Sequence, residues 1–165
     1  MGFNDLFCLA RPEVHTLSIG AARPSDFDAH VDALAHYDRA EEMAGPIAEA
    51  LDAAAARSHG ADWMARWRTG LPEWEDVPGG VNVVEILRMW TYGIGLGMDA
   101  WAKSRYNLLG NGGHWFPGMS AGEFDEAALC AALAGHPCAD VIPARLRETH
   151  ERFGAEAVKR LSQGG

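Results

Sequence analysis

The sequence predicts a mainly α-helical protein that opens with a short helix–strand–helix segment. Three observations predict it. From Tyr37 onward, apolar residues recur at helical spacing and strand signals vanish. Before that, residues 14–19 alternate apolar and polar side chains and are rich in β-branched residues. Hydrophobic residues make up 48% of the 165 and charged residues 22%, the balance of a folded chain rather than a disordered one.

The elements follow in order. Phe3, Leu6, Phe7 and Ala10 share one face of a first short helix, stopped by Arg11-Pro12. Residues 14–19, from Val14 to Ile19, form the strand, which Gly20 ends. Pro24 suits a first helical turn, and Phe27, Val31 and Leu34 mark one face of the helix that follows. Residues 1–36 therefore form one segment and residues 37–165 a helical domain. In that domain Ile47, Leu51, Ala54 and Ala55 form a stripe, with a local break expected at Gly45-Pro46 and a glycine cap at Gly60. Asp62 is placed to cap a helix carrying Trp63 and Trp67 one turn apart. Residues 83–92 are helical, with Val83, Ile86, Leu87 and Trp90 inward. Gly93, Gly95 and Gly97 then predict a break or a tight helix–helix contact, since each costs a helix about 1 kcal/mol relative to alanine. Asp99 restarts a helix. Ser120 and Glu123 have capping-box spacing before a helix over 124–134. Pro143 opens another helix, and residues 155–162 form a last short one.

Charge excludes several functions. Fourteen Lys and Arg face 23 Asp and Glu, a net charge of −9. General nucleic-acid binders and ligands of anionic membranes carry the opposite sign. Apolar stretches are interrupted well before the roughly 20 residues of a membrane span. The three cysteines, Cys8, Cys130 and Cys138, are widely spaced and lack a C-x2-C pair. They predict reduced, mostly buried thiols and no zinc or iron–sulfur site. Without a signal-peptide pattern, a cytoplasmic location is expected. None of the seven histidines pairs in a metal-binding motif. The loop over residues 110–118 holds four glycines, His114, Trp115 and Phe116. It is expected to turn tightly and plug its aromatics into the helical core.

The stretch Val14-His-Thr-Leu-Ser-Ile-Gly-Ala-Ala-Arg-Pro-Ser-Asp-Phe-Asp-Ala-His-Val-Asp-Ala-Leu34 resembles the end of an aldo-keto reductase barrel. In that family the last strand of a (β/α)8 barrel leads through a turn into a helix that starts with Pro. The turn holds the adenosine 2′-phosphate of NADPH. The resemblance implies that Gly20, Ala21, Ala22 and Arg23 are the cofactor-binding residues. The family's polar reader and Glu-Asn pair are replaced here by Asp26, Ala29 and His30.

Downstream, Gly80-Val-Asn-Val-Val-Glu-Ile-Leu-Arg88, Arg105-Tyr-Asn-Leu-Leu-Gly110 and Pro137-Cys-Ala-Asp-Val-Ile-Pro-Ala-Arg-Leu-Arg-Glu-Thr-His150 resemble the C-terminal extension of a bacterial subgroup of that family. That extension is an orthogonal helical bundle of the α-helical ferredoxin-like kind, and in many members it carries a 4Fe–4S cluster. Leu71-Pro-Glu-Trp-Glu-Asp-Val-Pro78 stands where the cluster cysteines would be, so the resemblance implies a branch without a cluster. The family's catalytic Tyr, Lys, Asp and His have no counterparts here. The chain is thus expected to be the C-terminal region of an NADP-linked oxidoreductase, not catalytic alone. NADP belongs to the full-length or assembled protein. An unpaired strand between Val14 and Ile19 predicts pairing with a second copy or with a barrel partner. The alternative is a non-catalytic interaction or oligomerisation module.

Overall fold

Helix-forming residues dominate the chain, and the computed structural model, which describes residues 2–111 and 117–154, contains eight α-helices among the described residues. Chain contacts divide it into two compact units, Met1–Ala53 and Ala54–Gly165, with the division inside a long helix.

The first unit holds α1 (Gly2–Leu9), α2 (Pro24–Leu34), a 3-10 turn (Tyr37–Arg39) and the start of α3 (Ala40–His59). Its core is small: Leu6, Ala40 and Ala44 are buried, with Phe3, Phe7 and Ala10 packed against them. α1 lies on α2. The approach uses small residues, since a Cβ on Gly2 would sit 3.7 Å from the Ala33 Cβ. Helix α3 runs through Pro46 without the expected break. Pro46 lies on an exposed face, where water serves the carbonyl that loses its amide partner.

The predicted strand is the main difference. Residues 14–21 are neither helix nor ladder, and the described residues contain no β-strand. A lone parallel bridge joins Val81 to Met119 elsewhere. The reason is pairing. A strand is defined by a neighbour that takes its amides and carbonyls, and none lies beside residues 14–19. No barrel remnant is therefore formed by residues 1–36 as they stand.

The second unit holds α4 (Ala61–Arg66), 3-10 turns at Trp74–Asp76 and Pro78–Gly80, α5 (Val83–Gly95), α6 (Asp99–Tyr106), α7 (Glu126–Ala132) and α8 (Ile142–Phe153). Helix α5 is the hub and packs on both α6 and α8. Val83, Ile86, Leu87, Met89 and Trp90 are buried along it, facing Ala102, Tyr106, Ile142, Leu146 and Phe153. The start of α5 is held by Asn82. Its side-chain oxygen accepts from the Glu85 amide at 3.0 Å, and its Nδ2 donates to the Pro117 carbonyl at 2.8 Å. Gly118 lies beside it at φ +81°, where a Cβ would meet the Gly80 carbonyl at 2.9 Å. Only glycine fits both demands.

Local chemistry adjusts several predicted boundaries. Gly60 does close α3 at φ +84°, its amide bonding the Ala56 carbonyl at 2.8 Å. Asp125, not Ser120, caps α7, its carboxylate accepting from the Ala128 amide at 3.1 Å. Asp62 lies within the first turn of α4 and pairs with Arg66 rather than capping. Of the thiols, Cys138 is buried, Cys8 half-buried and Cys130 exposed. The expected helix over 155–162, and His114, Trp115 and Phe116, lie outside the described residues.

The glycine run resolves into a tight contact. Helix α5 continues through Gly93, and a Cβ there would lie 2.8 Å from the Ala102 Cβ and 2.9 Å from the Phe153 ring. Gly93→Ala must push α5, α6 and α8 apart, at an expected cost of about 1–3 kcal/mol. Gly20→Ala meets nothing within 4 Å and serves as the neutral control in the same urea titration.

Candidate functional site

The predicted phosphate turn comes first. Gly20, Ala21, Ala22 and Arg23 are all exposed. Arg23 caps α2, and Pro24 begins it. The amides of Ala22 and Arg23 both donate to Asp26 Oδ2 at 3.0 Å. The Arg23 guanidinium reaches Asp26 Oδ1 at 3.5 Å, and Asp26 is buried. This is how a helix N-terminus binds an anion, with the chain's own carboxylate in place. A phosphate entering here must displace Asp26 and overcome its charge.

A second interaction was not legible in the sequence. His30 Nδ1 donates to Asp5 Oδ2 at 2.7 Å, with both side chains about nine-tenths buried. The partners are 25 positions apart, and no local pattern links them. The pair ties α1 to α2, and both residues line an apolar groove of about 260 Å³. Leu9, Leu17, Ile19, Val31 and Leu34 line that groove, with His15 and Thr16. The residues expected to be a strand thus form one wall of it.

The most consequential feature is the direction of α2. Its apolar stripe faces outward: Phe27 is 48% exposed, Val31 64% and Leu34 54%. The inward face carries Asp26, Ala29, His30 and Ala33, of which Ala33 and Asp26 are buried. The sequence identified the stripe but not its direction. The signal was the opposite face, whose small residues permit the close approach to Gly2. Helix α3 repeats the arrangement: Met43, Ile47 and Leu51 are exposed while Ala40 and Ala44 are buried. A second groove of about 300 Å³ lies between Phe3, Leu6, Ala33, Met43, Ala44 and Ile47. Scattered exposed hydrophobics are ordinary, whereas here two successive helices each leave a stripe of three exposed.

The second unit uses its unusual residues for structure. The rings of Trp63 and Trp67 stack at 6.2 Å, and Trp63 meets Trp90 edge-on at 5.3 Å. The Trp63 indole donates to Thr91 Oγ1 at 3.0 Å, and that of Trp90 to Glu148 Oε2 at 2.7 Å. The Arg145 guanidinium lies 3.4 Å from the Trp63 ring centre and 4.3 Å from that of Trp90, a cation held by π faces. Burial raises the Cys138 thiol above its usual range although Arg66 and Arg145 act to lower it. That is the setting of an inert structural cysteine. The Tyr106 hydroxyl accepts from the Ala121 amide at 2.9 Å and donates to His150 Nδ1 at 2.8 Å. Burial is the main reason its pKa is pushed up to about 12. Among the described residues, no group of three His, Cys, Asp or Glu is placed to hold a metal ion.

Two histidines give the second unit a pH dependence. Burial lowers the pKa of His59, whose Nε2 donates to the Thr91 carbonyl at 2.8 Å. Burial likewise lowers that of His136, whose Nδ1 accepts from the Cys138 amide at 3.0 Å. Below about pH 6.5 the unfolded chain takes up protons on these histidines that the folded chain refuses. Their contribution is complete above that pH and is lost as pH falls toward the lowered folded values. Urea midpoints are therefore expected to fall from pH 7 to pH 5. The slope should shrink in the double variant His59→Gln with His136→Gln.

No helix among the described residues is long and apolar enough to cross a membrane. No family model matches the chain, and no curated protein or solved structure matches it either.

Proposed function

We propose that this chain is a non-catalytic helical docking module, the C-terminal region of an NADP-linked oxidoreductase of the aldo-keto reductase kind. One observation carries the reading. Residues 14–21, strand-like in sequence, lack a ladder partner, and the next helix turns Phe27, Val31 and Leu34 outward. In a strand–helix unit, the helix buries its apolar face on the sheet to which its strand belongs. Here both halves of the unit await a sheet that another chain, or a further part of the parent protein, supplies. Docking then proceeds by strand addition, with residues 14–19 pairing along an open edge and α2 closing over it.

Within that assembly the turn from Gly20 to Arg23 comes near the cofactor, and Arg23 would meet it only by exchanging Asp26 for the phosphate. NADP is held by the whole assembly, and the catalytic groups come from the barrel. The second unit, with its helices packed around α5, serves as the ferredoxin-like extension without a cluster. A cytoplasmic location goes with this role.

Native purification of the tagged chain tests the reading. NADPH-dependent carbonyl reduction is expected to co-purify with it and to be lost from the Val31→Glu variant. The isolated chain is expected to show no saturable quenching of tryptophan fluorescence by NADPH. Turnover by the isolated chain, or equal co-purification with Val31→Glu, contradicts the reading.

A further inference from the structure

We infer that the partner surface is basic as well as apolar, and that the first unit is built to engage a different protein rather than a second copy of itself. The inference rests on the docking reading above and adds the chemistry of the partner. It starts from an uneven distribution of charge. Residues 1–53 contain ten acidic residues against three arginines, a net charge of −7 out of the −9 of the whole chain. All three arginines are engaged. Arg23 pairs with Asp26, Arg39 pairs with Glu42 at 2.9 Å, and Arg11 lies 3.8 Å over the Phe7 ring. Glu13, Asp28, Asp32, Asp38, Glu41, Glu49 and Asp52 are exposed and form no ion pair among the described residues.

Position matters as much as number. Asp28 and Asp32 follow Phe27 and Val31 directly, so they rim one side of the outward stripe of α2. On α3, Asp52 follows Leu51 in the same way, one position round the helix from it. The result is an apolar strip edged by uncompensated carboxylates. Two copies meeting through this face would bring like charges together around a desolvated strip, which opposes a symmetric dimer. An anionic bilayer is opposed on the same ground. A protein edge that is apolar at its centre and rimmed by Lys or Arg satisfies both features, and charge steers it into place.

Two soluble peptides test this against the full chain, one alternating valine with lysine and one alternating valine with glutamate. The lysine peptide is expected to bind at least about tenfold more tightly than the glutamate peptide. Its affinity should fall by at least about tenfold between about 0.1 M and about 1 M salt, as screening shortens to about 3 Å. Asp28→Asn with Asp32→Asn should remove most of that salt dependence while leaving the fold intact, because both groups are exposed. Light scattering should show no dimer at either salt concentration. Equal binding of the two peptides, salt-independent binding, or a dimer that strengthens as charge is screened overturns the inference. Failure of the lysine peptide overturns it too, while co-purified reductase activity lost with Val31→Glu would leave the docking reading standing. Selective, salt-sensitive lysine-peptide binding without co-purified reductase activity supports the charge inference and overturns only the oxidoreductase assignment.

Discussion

Val31→Glu combined with Leu34→Glu is expected to leave the fold standing and to weaken docking by about 30-fold or more. The two halves of that result come from one geometry. Both side chains are more than half exposed on the outward face of α2, so little packing is lost when they change. Substitutions of that kind usually move stability by no more than about 0.5 kcal/mol. In the docked state the same side chains occupy the centre of a desolvated strip. A carboxylate there must be buried without a partner, and central positions of an interface carry most of its energy. Urea unfolding and titration with the valine–lysine peptide measure the two halves separately. Ala33→Glu reverses the pattern, because Ala33 is buried against α1 beside Gly2. It should destabilise the fold first and impair docking only as a consequence.

Trp67→Ala is expected to cost about 3–5 kcal/mol, the largest effect of any single truncation considered. Trp67 is 2% exposed, stacks on Trp63, and meets Tyr92 in a T-shaped contact at 6.4 Å. Its loss opens a cavity that Trp63 cannot fill, since its indole N–H is tied to Thr91 and its face to Arg145. Against a typical total stability of about 5–15 kcal/mol, this removes a large share of the margin. A shift of the urea midpoint at constant slope is the expected signature. Trp67→Phe keeps part of the stack and should cost less. If both variants cost under about 1 kcal/mol, the tryptophan cluster is not the centre of this unit.

Much of the helical frame was legible because its signals are local. Gly60 closes α3 and Pro143 stands in the first turn of α8, each from its own backbone preference. Val83, Ile86, Leu87 and Trp90 face inward as their spacing requires. Where two local signals competed, sequence alone did not decide. Asp125 stands directly before the helical run and caps it, although Ser120 and Glu123 have the capping-box spacing. Residues 14–19 have strand composition, but a strand also needs a neighbour, which composition cannot supply. The outward turn of α2 was hidden for a related reason. An apolar stripe states that a face seeks burial, not whether this chain provides it. The pairing of Asp5 with His30 and the capture of the Ala22 and Arg23 amides by Asp26 depend on how α1 and the turn meet α2.

Hydrogen exchange of the amides of residues 15–21 tests the docking account most directly. In the structure these amides donate to no other backbone group among the described residues, and the segment is largely exposed. In the isolated chain they are expected to exchange nearly as fast as an unstructured peptide, and to slow by at least about a hundredfold when the valine–lysine peptide or the native partner is bound. Slow exchange in the isolated chain, or no added protection in the complex, would contradict the claim that this segment is a strand waiting for its sheet.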